Sequence, residues 1–89
     1  MKVTRQHVDI HQPLITFSEL FEDGTEYRKV QIFADGSVGI AGGFIDTEKT
    51  WLEEEPLPSV ETISERPGFD AIRITPSEFQ TEWLASGGW

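Results

Sequence analysis

An Asp-Gly pair between two β-prone stretches is the feature that most constrains the fold of this chain. Asp35-Gly36 separates Tyr27–Phe33 from Ser37–Ala41, and both stretches have the composition of β-strands. Asp-Gly between such stretches favours a tight turn, because glycine adopts positive φ without strain. The sequence therefore predicts an antiparallel hairpin. In its first strand, one face would carry Arg28, Val30 and Ile32, and the other Tyr27, Lys29, Gln31 and Phe33.

Other stretches predict the rest of a sheet. Runs of β-branched and aromatic residues indicate strands at Lys2–Ile10, Leu14–Leu20 and Phe69–Thr75. Phe44–Pro58 is the least regular part of the chain, and its length indicates either a functional loop or a short strand around Thr50–Leu52.

Two helices are predicted from their ends. Thr75 is a suitable N-cap, proline occupies the first helical position, and Glu78 completes a capping box. This helix would continue past Phe79 and Trp83, which lie one turn apart and must face a core, and end near Gly87-Gly88.

A shorter helix is expected before the last strand. Ser59 can cap it, Val60 and Ile63 give it one apolar stripe, and Pro67-Gly68 would stop it after Glu65. The expected fold is a single small α+β domain over residues 1–89. It has one antiparallel sheet of four to five strands, the C-terminal helix packed on one face, and the second short helix at an end.

The composition excludes several kinds of stabilisation. The chain has 89 residues and no cysteine, so neither disulfides nor a thiolate zinc site can hold it together. A domain of this size has a thin margin of stability, and it must rely on a well-packed core or on oligomerisation. Six phenylalanines and three tryptophans make a compact core plausible.

Net charge is the most unusual feature of the composition. Sixteen acidic and seven basic residues give a formal charge of −9. Such a field repels nucleic acid and anionic membranes, and it attracts basic protein surfaces. The alternative interpretation is that the acidity only keeps the protein soluble. The charge is concentrated, since Asp46 to Glu65 contains seven acidic residues and one basic residue.

This acidic segment is the predicted partner-binding region, with Trp51 as an aromatic anchor for a basic partner. A solvated loop is the alternative, and Trp51 could equally belong to the core. Trp89 would be either a docked terminal plug or an exposed tail. The predicted partner-binding residues are Asp46, Glu48, Trp51, Glu53, Glu54, Glu55 and Glu61.

No catalytic, cofactor or metal site is predicted. The chain lacks cysteine and a GxSxG elbow, and Gly36–Gly39 lies in the predicted hairpin rather than between a strand and a long helix. His7, Asp9 and His11 are the best metal candidates, because they would share one face of a strand. In a regular strand, however, the two histidines would stand about 13 Å apart, too far to share one ion. A polar solvated strand face is the favoured interpretation.

The predicted location is the cytoplasm. No stretch approaches 18 apolar residues, and the first residues lack the apolar region of a secretory signal. We expect no membrane and no nucleic-acid partner, and a monomer or weak homo-oligomer.

Four stretches together form a pattern, namely Ile15–Leu20, Tyr27–Gly39, Glu54–Ser59 and Ser77–Trp83. They resemble a family of short bacterial domains of unknown function. The family pattern is similar to YSEL…RKVEIFxDGxxGYA…EEPxPSxEEIN…EFExVW. Ile40 stands where the family pattern has an aromatic residue, and Phe44–Leu52 has no counterpart in that pattern. The resemblance implies no activity, so no catalytic residue follows from it.

Three functional hypotheses follow, beside a fourth alternative of a housekeeping domain that self-associates through its edge strand. The first is a non-catalytic acidic binding module, of the immunity or antitoxin type by analogy of size and charge, that inhibits a toxin or nuclease by binding its basic surface. The second is a nucleic-acid-mimicking inhibitor of a nuclease or defence system, of phage or mobile-element origin. The third is a small metal-dependent enzyme that uses His7, Asp9 and His11.

Overall fold

The computed structural model describes residues 1–43, 45–47 and 49–88. Within them the chain forms one open sheet of six strands and two helices. The elements are β1 (Lys2–Arg5), β2 (Pro13–Leu20), β3 (Glu26–Phe33), β4 (Val38–Gly42), β5 (Ile45–Asp46), α1 (Val60–Ser64), β6 (Phe69–Ile72) and α2 (Pro76–Ala85). The strand order is β5-β4-β3-β2-β1-β6, and all neighbouring strands are antiparallel.

The α+β class and the antiparallel sheet are confirmed, but the predicted number of four to five strands was too low. The missed strand is β5, whose two residues are too few to carry a periodic pattern. The strand considered at Thr50–Leu52 does not form, since these three described residues have no strand structure.

The predicted hairpin is confirmed at β3–β4. Gly36 takes a φ of 85°, a backbone conformation that would be strained in a residue with a side chain. The Asp35 carboxylate accepts hydrogen bonds from the Ser37 amide at 2.9 Å and from its hydroxyl at 2.6 Å. The same bonds join Asp23 to Thr25 in the β2–β3 turn, so one turn design, F-x-D-G-S/T, connects both strand pairs.

Two predicted strands were too long. Strand β1 ends at Arg5 rather than Ile10, because residues 6–12 form bends and turns and expose Val8 and Ile10 to solvent. Extending β1 would therefore bury no apolar side chain there. Strand β6 ends at Ile72 rather than Thr75, since Thr75 is already the extended cap of the following helix.

Helix α2 covers one face of the sheet, as predicted. The Thr75 hydroxyl accepts from the Glu78 amide at 3.1 Å, and the Glu78 carboxylate accepts from the Thr75 amide at 3.2 Å, which confirms the capping box. Phe79 and Trp83 are 2% and 1% exposed. They pack into one cluster with Phe17, Val30 and Ile40.

Helix α1 lies along the outer edge of β6. Ser59 caps it as predicted, and Ile63 is its buried residue. The Ser64 hydroxyl donates to the Ala71 carbonyl at 3.0 Å and accepts from the Ala71 amide at 3.3 Å. Neither described helix is long and apolar enough to cross a membrane.

An irregular segment, residues 49–58, crosses the other face of the sheet, and we call it the strap. Near its start Thr50, 2% exposed, donates its hydroxyl to the Gln31 side chain at 3.0 Å. Gly39 lies beneath it, and a Cβ there would overlap the Thr50 hydroxyl. Near its end the Leu57 amide donates to the Gly24 carbonyl at 2.9 Å. The strap is thus fixed at both ends.

Candidate functional site

A buried ion pair lies beneath the strap. The Lys29 ammonium is 2.7 Å from the Glu26 carboxylate, and their side chains are 8% and 0% exposed. In a regular strand these residues, three apart, would point to opposite faces. A β-bulge brings them together, since Glu19 pairs with Arg28 but Leu20 pairs with Glu26. Sequence alternation alone gives no sign of this pair.

The ion pair also binds the backbone of the strap. Lys29 donates to the carbonyl of Trp51 at 3.1 Å, and the amide of Glu53 donates to the Glu26 carboxylate at 2.8 Å. The Ser18 hydroxyl donates to the other Glu26 oxygen at 3.0 Å. Buried charges with several hydrogen bonds hold their partners in one geometry, because any other arrangement leaves a charge unpaired. The backbone around Trp51 is therefore held in place from below.

The side chains at this point of the strap face outward. Trp51 is 61% exposed, so the interpretation of Trp51 as a core residue was wrong. The next three acidic residues of the strap are also exposed. We call this group the strap tip, and its members are Trp51, Glu53, Glu54 and Glu55.

Two other predicted partner-binding residues lie away from the strap tip. Asp46 is on β5 at one edge of the sheet, whereas Glu61 is on α1 beside β6 at the opposite edge. Six strands spaced about 4.8 Å apart separate these edges by roughly 24 Å. Glu61 also pairs with Arg73, which lowers the pKa of its carboxyl. Glu48 and Trp89 lie outside the described residues.

The metal candidates lie in the loop between β1 and β2. His7, Asp9 and His11 are all exposed, and the Asp9 carboxylate accepts from the His11 amide at 2.9 Å. The predicted strand geometry does not apply, because this loop has no strand structure. Across the described ranges, no group of three or more His, Cys, Asp or Glu side chains is placed to hold a metal ion.

Arg28 joins the sheet to α2 on the face away from the strap. It donates to both oxygens of Glu19, at 2.7 and 3.0 Å, and to Gln80 on α2 at 3.0 Å. Its guanidinium carbon lies 5.0 Å from the ring centroids of Phe79 and Trp83. The bond to Glu19 raises the pKa of Arg28. The Arg28 charge thus stabilises the interior and is not presented to a ligand.

Comparison with known proteins places the chain in a family. The family model described as Domain of unknown function (DUF6881) matches residues 1–87, a range that contains all the strands and both helices named above. No curated protein and no solved structure matches the chain. The family model covers well over half of the sequence, including the strap and both of its anchoring points. The chain is therefore a member of the family of DUF6881 domains.

Proposed function

We propose that this domain is a non-catalytic binding module whose strap tip binds a basic surface of another protein. The observation that carries the proposal is an exposed tryptophan on a backbone fixed by a buried ion pair. The Trp51 side chain is 61% exposed, while its carbonyl accepts from the buried Lys29. Tryptophan is enriched among residues that dominate binding energy, and a prearranged backbone lowers the entropy lost on binding.

Electrostatics support a basic partner. Glu53, Glu54 and Glu55 follow Trp51 on the exposed side of the strap, in a chain of net charge −9. Carboxylates around an aromatic anchor accelerate the approach of a basic surface, and salt weakens this attraction. The partner surface would offer an apolar recess for the indole, surrounded by lysine or arginine.

We place the module in the class of small acidic inhibitors, of the immunity or antitoxin type, that cover the basic cleft of a toxin or nuclease. The small size of the chain, its negative charge and the exposed Trp51 support this assignment. This assignment is an analogy of class, because a fold alone does not determine a partner. A nucleic-acid mimic would instead need carboxylates spaced like phosphates along one face, and the separation of Asp46 from Glu61 favours the compact strap tip.

Binding to a basic protein encoded beside this gene tests the proposal. The two proteins are purified separately and their affinity is measured by calorimetry at two salt concentrations. Trp51→Ala should weaken binding by roughly 30-fold, the loss of a central aromatic anchor. Leu84→Ala is the matched control, because Leu84 is an exposed apolar residue on the helix-covered face and its loss should leave affinity unchanged.

A charge-matched pair separates local from general electrostatics. Glu54→Gln with Glu55→Gln removes two charges from the strap tip, whereas Glu65→Gln with Glu82→Gln removes two charges elsewhere. The first pair should slow association more than the second, and the difference should shrink in high salt. Equal effects of the two pairs, or full affinity in Trp51→Ala, would contradict the proposed surface. Absence of any complex with the wild-type domain would reject the partner.

A further inference from the structure

A pocket of about 390 Å³ opens on the strap face beside Trp51. Its floor is strand β3, which contributes Lys29, Gln31 and Phe33. Trp51 forms one wall, and His11 in the loop before β2 forms the other. The volume is in the range of sites that enclose small molecules. Two aromatic side chains line it, so it suits a ligand with a flat ring.

The lysines of the chain are concentrated at this pocket. The chain has three lysines, and two of them, Lys29 and Lys49, line it together with His11. An ammonium group has three N–H donors. Among the described residues, Glu26 and the Trp51 carbonyl account for two of those on Lys29, so at most one remains for a ligand. Two of the three lysines in a chain of charge −9 therefore lie at one pocket.

Negative charge at the same site limits the class of ligand. The Glu53 side chain also lines the pocket, and Glu26 neutralises Lys29 from below. Carboxylates that lie farther than about 8 Å from the pocket act weakly on a ligand there, because salt screens charges beyond this distance at physiological ionic strength. A ligand with only anionic groups would be repelled by the Glu53 carboxylate and could donate no hydrogen bond to it. A ligand that also carries an N–H donor would satisfy Glu53 and the lysines together.

We propose that this pocket binds a small aromatic carboxylate that carries a ring N–H. Its carboxylate would bond to Lys29 and Lys49, its ring would lie against Trp51 and Phe33, and its N–H would donate to Glu53. The inference goes beyond the proposed function and requires no protein partner. It can be tested on the isolated domain, so failure of one proposal leaves the other standing.

Three probes test the chemistry on the ¹⁵N-labelled domain by NMR titration. Indole-3-carboxylate has the ring, the N–H and the carboxylate; tryptamine keeps the ring but carries an ammonium group; inorganic phosphate is an anion without a ring. Indole-3-carboxylate should give saturable shifts at the amides of Lys29, Gln31 and Phe33 and at the indole N–H of Trp51, with a dissociation constant in the millimolar range or tighter. Tryptamine and phosphate should give none that saturate.

A pair of lysine variants tests the geometry. Lys49→Gln should weaken indole-3-carboxylate binding by about threefold to fivefold, the effect of one exposed charge. Lys2→Gln is the matched control, because Lys2 lies over Phe17 on the opposite face, and it should change nothing. The proposal is overturned by a lack of saturable shifts with indole-3-carboxylate, by equal binding of tryptamine or phosphate, or by equal affinity in the two variants.

Discussion

The two faces of this sheet are stabilised in different ways, although strand β3 contributes residues to both. On the face covered by α2, Val30 packs with Phe79 and Trp83 in an apolar cluster. On the face covered by the strap, Glu26 and Lys29 form a buried ion pair and bind the strap backbone. The first interior depends on area removed from water, and the second on a complete set of hydrogen bonds.

This difference determines how each face responds to substitution. Truncating a side chain in an apolar cluster lowers the stability of the protein in proportion to the volume removed. It leaves no neighbouring charge unpaired. A polar network fails as a unit, because removing one partner leaves another charge buried without compensation. A single substitution should therefore cost stability through lost volume on the helix face and through an unpaired charge on the strap face.

Truncating the helix-face tryptophan should have the largest effect. Trp83→Ala should lower the free energy of unfolding by about 3–5 kcal/mol, through lost burial and the cavity left behind. A small domain has about 5–15 kcal/mol in total, so a large part of its stability would be lost. Urea denaturation followed by circular dichroism measures the change. Leu84→Ala, at the next position on the same helix but exposed, should cost much less. Similar losses in both variants would show that α2 is not the core element.

Breaking the ion pair should show the contrasting behaviour of the strap face. Glu26→Met alone leaves Lys29 buried and unpaired, and should cost about 3 kcal/mol. Adding Lys29→Met removes the second charge, so the double variant should lose less than the sum of the two single variants, by about 1–3 kcal/mol. Urea denaturation of the four proteins in this cycle measures the coupling. Additive losses would mean that the strap face has no coupled network.

Exposed turn carboxylates should have the smallest effect. Hydrogen bonds from Ser37 and Thr25 lower the pKa values of Asp35 and Asp23. A carboxyl whose pKa is lowered by folding stabilises the protein at pH values above its unfolded-state pKa. That contribution is lost as the pH falls through its folded-state pKa. Stability should therefore decline from about pH 4 downward. Asp23→Asn with Asp35→Asn should flatten this decline in urea denaturation between neutral and acidic pH.

Ser37→Ala provides the control for the acid measurement. It removes one donor to Asp35 and keeps the charge, so it should flatten the decline by a smaller amount than the double variant. An unchanged decline in the double variant would mean that the two turn carboxylates do not cause the acid sensitivity.

The helix face could be predicted because its signals are local. Phe79 and Trp83 stand one helical turn apart, and Thr75 and Glu78 form their capping box within four residues. The Asp35-Gly36 turn is likewise encoded by neighbouring residues, as its bonds to Ser37 show. Such patterns can be read without knowing what the rest of the chain does.

The strap face could not be predicted, because its contacts join residues far apart in the chain. Glu26 turns inward only because β2 pairs with β3 through a bulge, and no alternation reports that register. The strap is placed by bonds from Glu53 to Glu26 and from Thr50 to Gln31, 27 and 19 positions away. The sequence singled out the strap-tip residues by charge, but their rigid support beneath was not visible in it.

The hydroxyl of Ser64 has a consequence for the behaviour of the protein in concentrated solution. The outer edge of a sheet normally offers free backbone groups on which another chain can add a strand, and fibres grow in this way. Here the Ala71 amide and carbonyl are both bonded to Ser64, and the Phe69 amide donates to the Arg66 carbonyl at 3.3 Å. Strand addition at β6 would first require α1 to detach, so this five-residue helix blocks this edge of the sheet.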